Sequence, residues 1–164
     1  MEGVDYNETF AHVAHMKSIR ILLALSCHLK FKLYQMDVKT AFLNGFLKED
    51  VYMAQPKAFI DPHFLDHVLY LKKALYGLKQ APRAWYDRLT QYLVSHGFTR
   101  GKAYQTLFIK REDDKLIVAQ VYVDDVIFWS TKDEFAHSFS KFMHAEFKMS
   151  MIVKLNHFLG LQIC

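Results

Sequence analysis

The sequence predicts an α+β domain with the split βαβ arrangement of ferredoxin-like folds, its helices on one face of the sheet. Three observations carry this. Apolar residues recur at helical spacing around Ile19, Trp85 and Phe139, separated by strand-like runs rich in β-branched and aromatic residues. The 164 residues are 52% hydrophobic with only 6 Gly and 3 Pro, enough for one continuous core and no obvious linker. Finally, Asp124 and Asp125 interrupt the apolar run from Leu116 to Phe128, where an uncompensated buried charge costs several kcal/mol and calls for a cation.

In chain order, Thr9 to Ser26 places Val13, Met16, Ile19, Leu22, Leu23 and Ser26 on one helical face. Phe31 to Val38 reads as a strand. Gly45 and the stretch from Gln55 to Asp66, with Pro56 and Pro62, mark an irregular connection containing a short strand at Glu49 to Met53. Pro82 suits the first turn of a helix that buries Trp85, Leu89, Tyr92 and Leu93, and Gly97 suits its stop. A strand near Thr106 to Lys110 leads to a solvated turn at Glu112-Asp113-Asp114-Lys115. Leu116 to Val123 and Val126 to Ser130 form a hairpin with Asp124-Asp125 as its tip. Thr131 and Glu134 have capping-box spacing ahead of a helix with Phe135, Phe139 and Phe142 on one face. Asn156 to Ile163 closes the chain as a strand pair or turn around Gly160.

Lys and Arg outnumber Asp and Glu by 21 to 17, a balance that suits an anionic partner without specifying one. Cys27 and Cys164 show no paired spacing, which argues for reduced thiols and against a disulfide framework or a zinc site. His12-x-x-His15 and His63-x-x-x-His67 bring no third ligand and read as surface or packing histidines. No secretory or membrane-spanning segment is evident, so an intracellular protein, cytoplasmic or nuclear, is expected.

Neighbours on a flat strand face opposite sides, so Asp124 and Asp125 can converge only at a turn. The plainer alternative is turn chemistry alone, as at Asp113-Asp114. In the split βαβ topology, however, the first and third strands are central neighbours, which brings Asp37 to the Asp124-Asp125 tip. Three carboxylates form a hard-ligand site suited to Mg²⁺, with Mn²⁺ as a substitute. Two such ions about 3.5 to 4 Å apart can bind the attacking and leaving oxygens of an in-line phosphoryl displacement.

Four segments carry a resemblance: Gln35 to Gly45, Leu75 to Tyr86, Tyr122-Val123-Asp124-Asp125, and Phe158-Leu159-Gly160-Leu161-Gln162. In this order they resemble the reverse transcriptase of copia-type LTR retrotransposons, over nearly the whole chain. The resemblance implies a polymerase palm spanning residues 1–164 as one partial module, with 45–78 as a fingers-like insertion. It implies Asp37, Asp124 and Asp125 as catalytic metal ligands. Nucleotide contacts fall to Val38, Lys39, Thr40, Ala41, Phe42, Tyr76 and Gly77, with Phe42 beneath the incoming sugar; a buried core Phe is the other reading of Phe42. Template and primer contacts fall to Lys79, Gln80, Pro82, Arg83, Tyr122, Val123, Phe158, Leu159 and Gly160. Without the resemblance, Gly77 and Pro82 merely end and start elements, and Phe158 to Gln162 is an ordinary turn.

The implied partners are an RNA template, a DNA primer, deoxynucleoside triphosphates, and the remaining fingers, thumb and RNase H parts of a Pol polyprotein. Those parts are not matched within this sequence, so little or no activity is expected of the chain alone. Several positions depart from the family pattern: His12 for Pro, His15 for Arg, Ala58 for Gly, Leu65 for Pro, Tyr104 for Asp, and Trp129 and Val153 for Gly. The last two raise the question of backbone strain. A catalytically silent remnant, or a nucleic-acid-binding module retaining the palm shell, is the alternative function.

Overall fold

The computed structural model describes residues 16–158 and 160–162. Helix α1 (Met16–Leu29) and strand β1 (Tyr34–Asp37) precede a hairpin of β2 (Phe46–Ala54) and β3 (Val68–Lys73). Helix α2 (Ala81–Ser95) is followed by β4 (Thr99–Arg100), β5 (Leu107–Glu112), β6 (Lys115–Tyr122) and β7 (Asp125–Ser130). Helix α3 (Asp133–Glu146) and three short strands, β8 (Val153–Lys154), β9 (His157–Phe158) and β10 (Leu161–Gln162), complete the order. Among the described residues the chain forms two compact units, 42–88 and 16–41 with 89–158 and 160–162, the division falling within α2. No helix among them is long and apolar enough to cross a membrane.

The larger unit is built on a six-stranded sheet of order β4-β5-β6-β7-β1-β8, with every pairing antiparallel. Alternation divides β1, β6 and β7 cleanly. Met36, Ala119, Val121, Val126 and Phe128 are buried on one face, where Phe128 meets Phe139 of α3 edge to face at 5.0 Å. The C-terminal part of α2 joins this layer through Tyr92, which stacks on Phe142 at 4.6 Å and donates to its carbonyl. Gly97, at φ +86°, closes α2 with hydrogen bonds from Gly97 N–H to the Val94 carbonyl and from Phe98 N–H to the Leu93 carbonyl. That pair is a Schellman stop, which needs the left-handed residue that glycine supplies.

Helix α1 corrects the expectation of helices on one face. Its buried stripe of Ile19, Leu22 and Leu23 packs with Leu33, Ile127, Leu155 and Phe158, with Trp129 and Tyr122 at the margin. Ile127 lies on the face opposite Phe128, so α1 lies across the sheet from α3. The cause is in β7 itself: Ile127, Phe128 and Trp129 are consecutive apolar residues, so both faces need a cover. Val13, assigned to the same stripe, lies outside the described residues, as do His12, His15 and Cys164.

Two local expectations also change. Thr131 does not cap α3, which has Lys132 at its N-cap with no side-chain hydrogen bond; the Thr131 hydroxyl accepts from Leu116 N–H instead and extends the β6–β7 ladder. The stretch from Gln55 to Asp66 is followed by a second strand, β3, which pairs with β2 from Val51↔Leu71 to Ala54↔Val68. Neither Trp129 nor Val153 has a positive φ, so neither substitution forces a side chain into glycine's region. Trp129 stacks on Phe31 at 4.5 Å.

In the smaller unit, Gly45 ties the β2–β3 hairpin to the segment that leads into α2. Its carbonyl accepts from Ala74 N–H at 2.9 Å, and a Cβ built on it would stand 2.6 Å from the Trp85 nitrogen. No side chain fits between that backbone and the start of α2, where Ala81 and Trp85 are buried.

Candidate active site

Strand β1 ends opposite the start of β7, with Asp37 and Asp125 as direct cross-strand partners. Directly opposed residues of an antiparallel pair project to the same face. The turn between β6 and β7 is therefore one residue earlier than expected: Tyr122 pairs with Asp125, and the tip is Val123-Asp124. At the other hairpin of the sheet, Asp113 and Asp114 make the whole tip, and Asp114 is neutralised by Lys132 in solvent. The second Asp pair instead straddles tip and strand, which commits Asp125 to the sheet face beside Asp37.

The local backbone is unusual. Val123 has φ +57°, a left-handed conformation that a β-branched residue adopts at a cost of about 1–3 kcal/mol. The Val38 N–H donates to the Asp124 carbonyl at 2.9 Å, fastening the tip to the end of β1. Thr40 is also left-handed, at φ +55°, and turns the chain out of β1 toward the 3-10 turn Ala41–Asn44.

All three carboxyl groups are half-buried. Burial pushes Asp37 above the ordinary aspartate value, the charge of Asp124 pushes it further, and Lys39 opposes both. Burial likewise raises Asp125; the Gln35 amide, donating to its Oδ1 at 2.7 Å, holds it down, and Asp124 and Asp37 push it up. The carboxylates therefore feel one another's charge. Among the described residues, no group of three or more His, Cys, Asp or Glu side chains is drawn together as a ready-made metal cage.

The remaining expected residues divide between the units. In the larger one, Val38 is buried and bridges Met149, while Lys39 is exposed. Phe158 is buried, its ring edge-on to Tyr122 at 6.0 Å, and Gly160 at φ +79° turns β9 into β10. Leu159 lies outside the described residues. In the smaller unit, Phe42 is half-buried against Tyr76, ring centroids 5.1 Å apart, and Gly77 has φ +93°. Lys79 is exposed and Pro82 sits in the first turn of α2. Gln80 and Arg83 line a cavity of about 260 Å³ with Phe46, Lys48 and Asp87, the last two paired at 2.7 Å.

Two residues of the site escaped the sequence reading. Gln35 stands two positions before Asp37 on the same strand, so the period of two was a signal for it. Ser150 accepts from the Asp37 N–H at 2.7 Å and carries no local signal.

The family model described as "Reverse transcriptase (RNA-dependent DNA polymerase)" matches residues 1–164. The chain belongs to this family. Among its relatives, the retrovirus-related Pol polyprotein from transposon RE1 of Arabidopsis thaliana is 39% identical over 160 residues, 98% of this chain and 11% of that protein. The Pol polyprotein from transposon TNT 1-94 of Nicotiana tabacum is 39% identical over 127 residues, 77% of this chain and 10% of its own length. The putative transposon Ty5-1 protein of Saccharomyces cerevisiae is 34% identical over 128 residues, 78% of this chain and 42% of that protein. No solved structure matches. The resemblance to copia-type reverse transcriptases is thus borne out, and the chain spans about a tenth of the length of the two plant Pol polyproteins.

Proposed function

We propose that this reverse transcriptase chain is the palm, with part of the fingers, of an RNA-directed DNA polymerase that joins nucleotides by a two-metal mechanism. The observation that carries the reading is the pairing of Asp37 with Asp125 beside the Val123-Asp124 tip. The strand order β6-β7-β1-β8, with α2 in the connection from β1 to β6 and α3 between β7 and β8, supports the split βαβ palm. The compactness of residues 42–88 supports a fingers role for the insertion at 45–78.

The donor set fits magnesium. Asp37, Asp124 and Asp125 offer hard anionic oxygens, and Mg²⁺ commonly takes one or two carboxylates and completes its shell with water and substrate phosphates. A preformed three-carboxylate cage is therefore not required. When bound, the metal supplies activation of the primer hydroxyl and neutralisation of the triphosphate. The protein's own part is positional. The β1–β7 ladder fixes Asp37 and Asp125, and Gln35 orients the Asp125 carboxylate and favours its charged form. The resemblance gives Phe42, packed on Tyr76, the sugar-wall role, Gln80 and Arg83 the phosphate contacts, and the β9–β10 turn the primer end. Template RNA, primer and deoxynucleoside triphosphates are the substrates, and other parts of a Pol polyprotein the partners.

The test replaces the matching segment of the RE1 Pol polyprotein with this chain and follows Mg²⁺-dependent extension of a primed RNA. Incorporation that Asp37→Asn and Asp124→Asn each abolish supports the reading. No incorporation, from a graft that folds, favours the silent remnant.

A further inference from the structure

The pairing of β1 with β8 is interrupted at one place. Gln35 pairs with Val153, and Val38 bridges Met149, so Ser150, Met151 and Ile152 stand opposite only Met36 and Asp37. This extra residue is a β-bulge, a device that re-aims a strand and recurs beside active sites. In a regular antiparallel pair, Asp37 and Ser150 would exchange both main-chain hydrogen bonds. Half of that exchange is present: Ser150 N–H donates to the Asp37 carbonyl at 2.8 Å. The other half is made by a side chain, since the Asp37 N–H donates to Ser150 Oγ at 2.7 Å.

The segment that carries Ser150 is itself anchored. Phe147 and Met149 are buried on either side of exposed Lys148, Phe147 meets Tyr92 edge to face at 5.2 Å, and the Lys148 carbonyl accepts from Lys39 N–H at 2.8 Å. Asp37 is thus held on one edge by the Asp125 strand and on the other by a fixed clamp.

We propose that Ser150 is a positioning residue for the metal site, its hydroxyl replacing a carbonyl displaced by the bulge and so fixing the backbone from which the Asp37 carboxylate projects. Alanine cannot do this, and leaves a half-buried N–H without its acceptor. Threonine retains the oxygen. The inference rests on the metal reading of Asp37, and its test separates the two.

The purified chain is titrated with Mn²⁺, and free Mn²⁺ is read by electron paramagnetic resonance; circular dichroism monitors folding of each variant. Ser150→Ala is expected to weaken Mn²⁺ binding about tenfold, the scale of a lost outer partner of a ligand, with Ser150→Thr restoring it. Ser150→Cys, close in size but a poor acceptor, gives the same reading if the alanine variant does not fold. Asp37→Asn is expected to lose binding. Unchanged affinity in both Ser150→Ala and Ser150→Cys, with Asp37→Asn impaired, overturns the role of Ser150 and leaves the metal reading standing. Unimpaired binding by Asp37→Asn, or no binding by the unaltered chain, overturns both.

Discussion

Asp37 and Asp125 face each other across the β1–β7 ladder, and each carboxyl is held above its ordinary value by burial and by neighbouring negative charge. A protein gains nothing in stability from opposing two like charges on a sheet. The pair is therefore a cost to folding, offset in part by the Gln35 hydrogen bond and by the charge of Lys39, and its effects are measurable without assaying catalysis.

A carboxyl raised in the folded state favours folding fully below its unfolded value, 3.8 for aspartate, and loses that contribution as pH rises through the folded value. Asp37→Asn should therefore raise the melting temperature of the metal-free chain by a few degrees at pH 7. The gain should vanish below about pH 4. Differential scanning calorimetry across that range checks it, and equal stability of the two proteins at pH 7 would refute the repulsion.

Gln35→Leu removes the hydrogen bond that holds the Asp125 carboxyl down. The Asp125 titration, followed by carbon-detected nuclear magnetic resonance, should move further upward. A downward shift would mean that Gln35 does not stabilise the charged form.

Val123→Asn should stabilise the chain by about 1 kcal/mol, because asparagine tolerates the left-handed region that valine enters at φ +57°. Val123 is 48% exposed, so little burial is lost. Urea denaturation measures the change, and a destabilised variant would show that the tip is not strained.

Gly45→Ala should destabilise by about 1–3 kcal/mol, the cost of forcing a methyl group into occupied space. Its Cβ would meet backbone atoms of Ala84 and Trp85 at 2.7 and 2.6 Å, which cannot swing aside as a flexible side chain could. The same urea measurement applies, with an unchanged midpoint as the contrary result.

In the RE1 graft, Phe42→Ala should admit ribonucleotides by removing the wall of the sugar pocket, with kcat/KM rising for the wrong sugar and little changed for the right one. Unchanged discrimination would leave Phe42, stacked on Tyr76, as a packing residue.

The legible parts of this molecule were those with a local signature. The Gly97 stop of α2 announced itself through residue type, and Asp124-Asp125 stood out as charge in an apolar run. The exact hairpin tip did not, because nothing in Tyr122 to Asp125 advertises that a valine takes the left-handed position glycine or asparagine usually fills. Thr131 had the right spacing to cap α3, yet a long-range partner, Leu116 N–H, claimed its hydroxyl. The placement of α1 across the sheet depends on which face of β7 lacks a cover, and the Ser150 contact depends on a bulge more than a hundred positions along the chain from Asp37. Both are tertiary facts with no local cause.

A divalent metal held by the carboxylates of Asp37, Asp124 and Asp125 would lie against the backbone of Asp37 and of 122–125. Fe²⁺ is loaded in place of Mg²⁺ on the chain with a primed RNA template and a deoxynucleoside triphosphate, and backbone cleavage by locally generated hydroxyl radicals is mapped. Cuts near Asp37 and within 122–125 that excess Mg²⁺ suppresses and Asp37→Asn removes are the expected result. Cuts confined elsewhere, or undiminished by Asp37→Asn, would show that these carboxylates do not hold the metal.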